Sequence, residues 1–85
     1  MRNTITQKDI DAIMASAKIE TETKMDKCTV VTVQLANGFV LIASSACVDP
    51  ANYNEEMGKE ICLNKIKDKL WELEGYCLQK ELANA

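Results

Sequence analysis

Cys28-Thr29-Val30-Val31-Thr32-Val33-Gln34-Leu35, followed by Ala36-Asn37-Gly38 and then Phe39-Val40-Leu41-Ile42-Ala43-Ser44-Ser45, decides the fold class of this 85-residue chain. The first arm is rich in β-branched residues. Its alternation puts Thr29, Val31, Val33 and Leu35 on one face and Cys28, Val30, Thr32 and Gln34 on the other, and the first set reads as the buried one. Asn37-Gly38 favours the positive φ angles of a tight hairpin turn, after which the second arm returns as the partner strand. Two strands alone are rarely stable in water, so the apolar face calls for a further strand, a helix or a second subunit.

The flanking segments supply those elements. Upstream, Thr6 caps a helix predicted over Gln7 to Ala17, with Asp9 completing a capping box and Ile5 and Ile10 at the staple positions. Ile10, Ile13, Met14 and Ala17 fall on one stripe of that helix. Ile19-Glu20-Thr21-Glu22-Thr23 alternates weakly, as a short edge strand would, and Lys24 to Lys27 reads as an exposed turn. Downstream, Asp49-Pro50 pairs a capping side chain with a proline suited to a first helical position. From Asn54 onward, Met57, Ile61, Ile66, Leu70 and Leu73 recur at helical steps, predicting a long helix to about Trp71 or beyond. Gly58 inside it suggests close backbone approach, and Gly75 predicts a bend or a second short helix. The expectation is one α+β domain over residues 1–85: an N-terminal helix, an antiparallel two- or three-stranded sheet with an Asn-Gly hairpin, and a long C-terminal helix packed on the sheet.

Composition narrows the function classes. The chain is 47% hydrophobic and 27% charged, which argues against disorder. A net charge of −3 provides no basic field for duplex nucleic acid, and no apolar run is long enough to span a bilayer, so a cytoplasmic protein is expected. The cysteines Cys28, Cys47, Cys62 and Cys77 form no C-x-x-C pair and the chain has no histidine, so they read as reduced thiols rather than metal ligands. The same lack of histidine, together with the absence of nucleophile-elbow, Walker and H-E-x-x-H motifs, argues against an enzyme, and no cofactor is implied. A folded chain this short buries only about 60–65% of its unfolded surface, so a homo-oligomer is expected.

Two groups of side chains are candidates for binding. Ser44, Ser45 and Asn52, beside the free N–H groups of a helix start, are suited to an anion, provided that the Asp49 carboxylate is occupied in capping. Tyr53 reads as packing against the first helical turn and is counted with that site. Trp71 and Tyr76 offer flat faces for a base or a partner side chain, although packing against the sheet is the commoner fate of such residues. Lys59, Lys65, Lys67 and Lys69, interleaved with Glu60, Asp68 and Glu72, read as a solvated face.

Leu35-Ala36-Asn37-Gly38-Phe39, Ser45-Ala46-Cys47-Val48-Asp49-Pro50-Ala51-Asn52-Tyr53-Asn54 and Trp71-Glu72-Leu73-Glu74-Gly75-Tyr76, in that order, resemble a small tailed-phage family. That family is named for gene product forty-nine of a coliphage and gene sixty-six of a Shigella phage. Val40-Leu41-Ile42 is more apolar than the resemblance leads one to expect, and Cys62 and Cys77 lie outside its motifs. The resemblance implies an accessory protein made in the infected bacterial cell. Joined to the lack of catalytic groups, it suggests a counter-defence protein that sequesters a small nucleotide-like immune signal, such as a cyclic nucleotide or cyclic ADP-ribose, in an oligomer. The alternative is a module that binds and inhibits a host protein; a structural role in the virion or replication complex ranks third.

Overall fold

The computed structural model of the chain describes residues 2–84. Its elements run in the order α1 (Gln7–Ala15), β1 (Lys18–Lys24), β2 (Cys28–Gln34), β3 (Val40–Ala46), a one-turn 3-10 helix (Pro50–Asn52) and α2 (Glu55–Ala83). The architecture is α+β, with a three-stranded antiparallel sheet in the order β1-β2-β3.

Helix α1 starts as the sequence predicts. Thr6 accepts from the Asp9 backbone N–H while the Asp9 carboxylate accepts from the Thr6 N–H, and Ile5 packs against the core beside buried Ile10. It stops at Ala15 rather than Ala17. The Ser16 hydroxyl donates back to the carbonyls of Ala12 and Ile13, and the chain turns there into β1.

Thr29, Val31 and Val33 are buried, as the alternation of β2 requires, and Leu41 and Ala43 of β3 join them. The weak pattern upstream becomes a full seven-residue strand, with Lys18 opposite Gln34 and Lys24 opposite Cys28. Its pairing with β2 turns Lys18, Glu20, Glu22 and Lys24 onto the uncovered face of the sheet, the solvated side of a one-sided antiparallel sheet. The β1–β2 turn holds Met25 and Asp26 at φ 54° and 59°. Methionine in that region is strained by about 1–2 kcal/mol.

Between β2 and β3, Leu35 N–H donates to Phe39 O (2.8 Å) and Gly38 N–H to Leu35 O (2.9 Å). Of Asn37 and Gly38, only Gly38 takes a positive φ, +94°. The Asn37 side-chain oxygen instead accepts from Phe39 N–H at 3.0 Å. The turn therefore projects Phe39 at the sheet's end.

Two boundaries in the C-terminal half differ from expectation. Asp49-Pro50 opens only the short 3-10 turn, with Asp49 Oδ1 accepting from Ala51 N–H at 2.9 Å. Tyr53 is extended, and Asn54 is the residue that caps α2, accepting from Met57 N–H at 3.1 Å. Of the two outcomes expected at Gly75, the second short helix does not form: α2 is assigned without interruption for 29 residues. A Cβ at Gly75 would meet nothing within 4 Å, and half-buried Leu78 and Leu82 continue the apolar pattern beyond it. Among the described residues no helix is long and apolar enough to cross a membrane.

Helix α2 crosses β2 and β3 with Gly58, Cys62, Ile66 and Leu70 buried, a strict four-residue stripe, and Ile10 closes the core from α1. At Gly58 the helix passes close to the sheet: a Cβ built there falls 2.8 Å from Thr29 Cβ and nearer still to its Oγ1. Thr29 is β-branched and fully buried, so it has little freedom to move aside. Gly58→Ala should therefore lower stability by about 1–3 kcal/mol despite alanine's better helix propensity. Urea denaturation would read this, and an unchanged midpoint would refute the close approach.

Candidate functional site

The six residues singled out from sequence lie on β3, in the turn that precedes α2, and on α2 itself. Ser44 lies on the open face of β3, with its side chain exposed and its carbonyl accepting from Lys65 Nζ at 2.7 Å. Ser45 points to the other face, half-buried opposite Thr29. Asn52 ends the 3-10 turn, exposed. The expected anion site does not assemble around them. The α2 N-terminus that they would have to share is capped by Asn54 and carries Glu55 and Glu56 in its first turn, and both carboxylates repel an anion.

Tyr53 is committed within the fold. Its hydroxyl lies 2.7 Å from Thr29 Oγ1 and 2.9 Å from Thr23 Oγ1, and Thr23 Oγ1 donates to Glu55 Oε2 at 2.6 Å. The carboxylate fixes the direction of the whole chain of bonds. Thr23 has one hydroxyl hydrogen and gives it to Glu55, so Tyr53 donates to Thr23 and Thr29 donates to Tyr53. The relay joins β1, β2 and the first turn of α2, and it satisfies Thr29, the one buried polar side chain among the described residues.

Trp71 and Tyr76 are five residues apart, about 140° around α2, and so lie on different flanks. Trp71 is 37% exposed. Tyr76, 67% exposed, helps line an open groove of about 490 Å³ with Phe39, Leu41, Lys69, Glu72 and Leu73. A second hollow of about 190 Å³ shares Phe39 and Leu73 and reaches Leu35, Leu70 and Cys77. Phe39 from the hairpin and Leu73 from α2 thus stand between two apolar depressions. Sequence reasoning found Tyr76 but not its neighbours. The missed signals were a phenylalanine immediately after the turn glycine and the widening of the α2 apolar pattern beyond a single stripe.

The lysines of α2 are not simply solvated. Besides Lys65, Lys69 donates from Nζ to Ile42 O at 3.3 Å. The pairing register directs the N–H and C=O groups of Leu41, Ala43 and Ser45 toward β2, which leaves those of Ile42 and Ser44 on the open edge. The two ammonium groups occupy that edge.

Among the described residues there is no cluster of three or more metal-ligating side chains, and no buried side-chain nitrogen or oxygen lacks a partner. The four cysteines are free thiols. Cys62 sits on the buried stripe of α2, and burial pushes its thiol pKa up, with Lys65 acting in the opposite direction.

Two outcomes follow from this geometry. Tyr53→Phe strands the buried Thr29 hydroxyl and should cost about 1–3 kcal/mol, measured by urea denaturation; a cost below about 0.5 kcal/mol would show the relay to be dispensable. Because the folded state holds the Cys62 proton more tightly than the unfolded state does, stability should be level below the unfolded thiol pKa, about 8.5, and fall as pH rises past it. Cys62→Ala should flatten that fall in denaturation curves at pH 7.5 to 10.

Comparison with curated proteins and with solved structures gives no match. Residues 5–82 match the Phage protein (N4 Gp49/phage Sf6 gene 66) family, spanning nearly all of the sheet and both helices. The chain belongs to that phage protein family.

Proposed function

We propose that this phage protein works without catalysis, as a protein-interaction module that engages and inhibits a host protein, and that the groove between Phe39, Leu41, Leu73 and Tyr76 is central to that contact. The observation that supports this most is the groove's chemistry. Its lining is apolar and aromatic, and its two charged groups, Lys69 and Glu72, are of opposite sign. An exposed aromatic beside aliphatic side chains is the composition of protein-binding hot spots.

Sequestration of a nucleotide-like signal is the second reading. In its favour, about 490 Å³ falls within the size range of small-ligand sites and Tyr76 could stack on a base. Against it, a phosphate would find only Lys69, which already donates to Ile42 O and has Glu72 beside it in the groove. The serine and asparagine side chains that were to complete such a site lie elsewhere. Ser44 reaches α2 at Lys65, about 16 Å of helix before Tyr76.

Affinity capture from host lysate with the tagged protein, beside Leu73→Lys and Tyr76→Ala, tests the first reading. A host protein retained by the native chain and reduced at least tenfold by both variants is expected. A thermal shift of about 10 °C or more with a cyclic nucleotide, with no groove-dependent capture, would instead establish sequestration.

A further inference from the structure

Glu74 is half-buried on α2, and among the described residues its carboxylate takes part in neither an ion pair nor a hydrogen bond. The helix itself supplies no partner, because the positions three and four residues away are Leu70, Trp71, Cys77 and Leu78. Arg2 shares a hollow with Glu74 but is tied to the Asp9 carboxylate. Lys69, the cation of the neighbouring groove, donates to Ile42 O. Glu74 has therefore given up part of its hydration without a compensating charge.

Its surroundings form a trough. Glu74 lines the hollow of about 190 Å³ that reaches Leu35 and Cys77, and also a hollow of about 180 Å³ that reaches Ile13 and Ser16 at the end of α1. These two share Leu35 and Asn37, and the first shares Phe39 and Leu73 with the groove of about 490 Å³. The three depressions are thus contiguous, from Tyr76 past the hairpin tip to α1. Lys69, Glu72, Leu73 and Tyr76 line the groove, whereas Leu70, Leu73, Glu74 and Cys77 line the middle hollow. That is a step of about 100° around α2 and only about 1.5 Å along it. The trough crosses the molecule, whose transverse extents are 21 and 18 Å, instead of following its 54 Å length.

We propose that the trough holds an extended segment of the host protein, which sets a large apolar side chain in the Tyr76 groove and a lysine or arginine against Glu74. This rests on reading the groove as a protein-binding surface and adds the chemistry of the segment bound there. About six extended residues, ~20 Å, span the width of the molecule. Side chains on one side of such a segment recur about every 7 Å, so they enter successive depressions across the ridge of Phe39 and Leu73. On the groove side of that ridge the charges of Lys69 and Glu72 offset one another and the lining is otherwise apolar. On the far side Glu74 is the one charged lining group, and charge complementarity selects a cation. The aliphatic stem of a lysine or arginine packs along Leu35 while its head meets the carboxylate. Asn37, whose side-chain oxygen accepts from Phe39 N–H, has its amide nitrogen left to donate to a carbonyl of the segment.

Selection from a random peptide library displayed on yeast, with the full chain as bait, should enrich sequences that place a large apolar residue two or three positions from a lysine or arginine. With a dye-labelled peptide of the enriched sequence, fluorescence polarisation should show Glu74→Gln and Tyr76→Ala each weakening binding about tenfold. Glu60→Gln, the same change of charge at an exposed position of α2, should leave it unchanged. Replacing the peptide's basic residue with leucine should weaken binding as much as Glu74→Gln does, and the two changes together no more than either alone. No enrichment, enrichment without a basic residue, or equal responses to Glu74→Gln and Glu60→Gln would each overturn the proposal. Host-protein capture separates this failure from that of the groove. Capture that is lost in Leu73→Lys and Tyr76→Ala but intact in Glu74→Gln keeps the groove as a protein-binding surface and removes the cation-bearing segment; capture indifferent to all three removes both.

Discussion

Thr29 lies under the first turn of α2, where the helix passes close enough that the facing position has no Cβ. A buried threonine beneath a helix must give its hydroxyl a partner, and Tyr53 provides one while handing its own proton on to Thr23 and thence to Glu55. The contact is thus steric and directional together. It fixes the height of the helix above the sheet through Gly58 and its rotation through Tyr53 and Glu55. Because α2 is one unbroken rod, an orientation fixed at Gly58 is carried to Tyr76, about 27 Å along the axis. The groove is therefore placed by a junction at the opposite end of the molecule, with Cys62, Ile66 and Leu70 packing between the two.

A three-stranded sheet covered on one face leaves two edges and an open face to protect, and the chain treats them differently. On β1 the protection is electrostatic: its outward side chains are Lys18, Glu20, Glu22 and Lys24, with Glu22 and Lys24 paired at 2.8 Å. That pairing holds the Glu22 carboxyl below and the Lys24 ammonium above their ordinary pKa values. On β3 the protection comes from α2, whose Lys65 and Lys69 reach the free edge carbonyls. The lysines leave the apolar side chains of that strand exposed. Strand addition is discouraged at both edges, while Val40 and Ile42 leave apolar side chains exposed on the open face of β3.

Much of the fold could be read from residues whose physics is local. The capping box at Thr6 and Asp9, the buried parity of Thr29, Val31 and Val33, and the tight passage at Gly58 each follow from a pattern within a few positions, and each holds. What sequence misread depends on longer range. Asp49-Pro50 has the composition of a helix start, yet Tyr53 stays extended with its hydroxyl bonded to both Thr23 and Thr29, and the helix begins again at Asn54. Gly75 has the composition of a boundary between two helices, yet α2 runs through it. The candidate site suffered most, because polar residues close in sequence were taken to converge. Ser44 and Ser45, as neighbours on a strand, necessarily face opposite ways. The groove joins a hairpin tip to a helix more than thirty residues later, and no local pattern announces such a pairing.

Leu70 is the last fully buried residue of α2, yet the helix continues to Ala83. A helical tail of that length has little stability of its own in water. One side of it is covered: Arg2 and Ile5 line a small hollow with Glu74, Cys77, Leu78 and Glu81, and Arg2 is tied to α1 through the Asp9 carboxylate. The other side carries Leu73 and Tyr76, which face Phe39 and Leu41 across an open groove. Had selection favoured a compact monomer, a shorter helix or polar residues at these positions would have relieved the exposure without touching the core. An 85-residue domain has few apolar side chains to spare from its own interior, and leaving Phe39, Leu73 and Tyr76 exposed around an open groove weakens the isolated chain. That arrangement makes physical sense when the groove's stabilisation is completed by another protein surface, which turns a marginal helix end into the part of the molecule that responds most to binding.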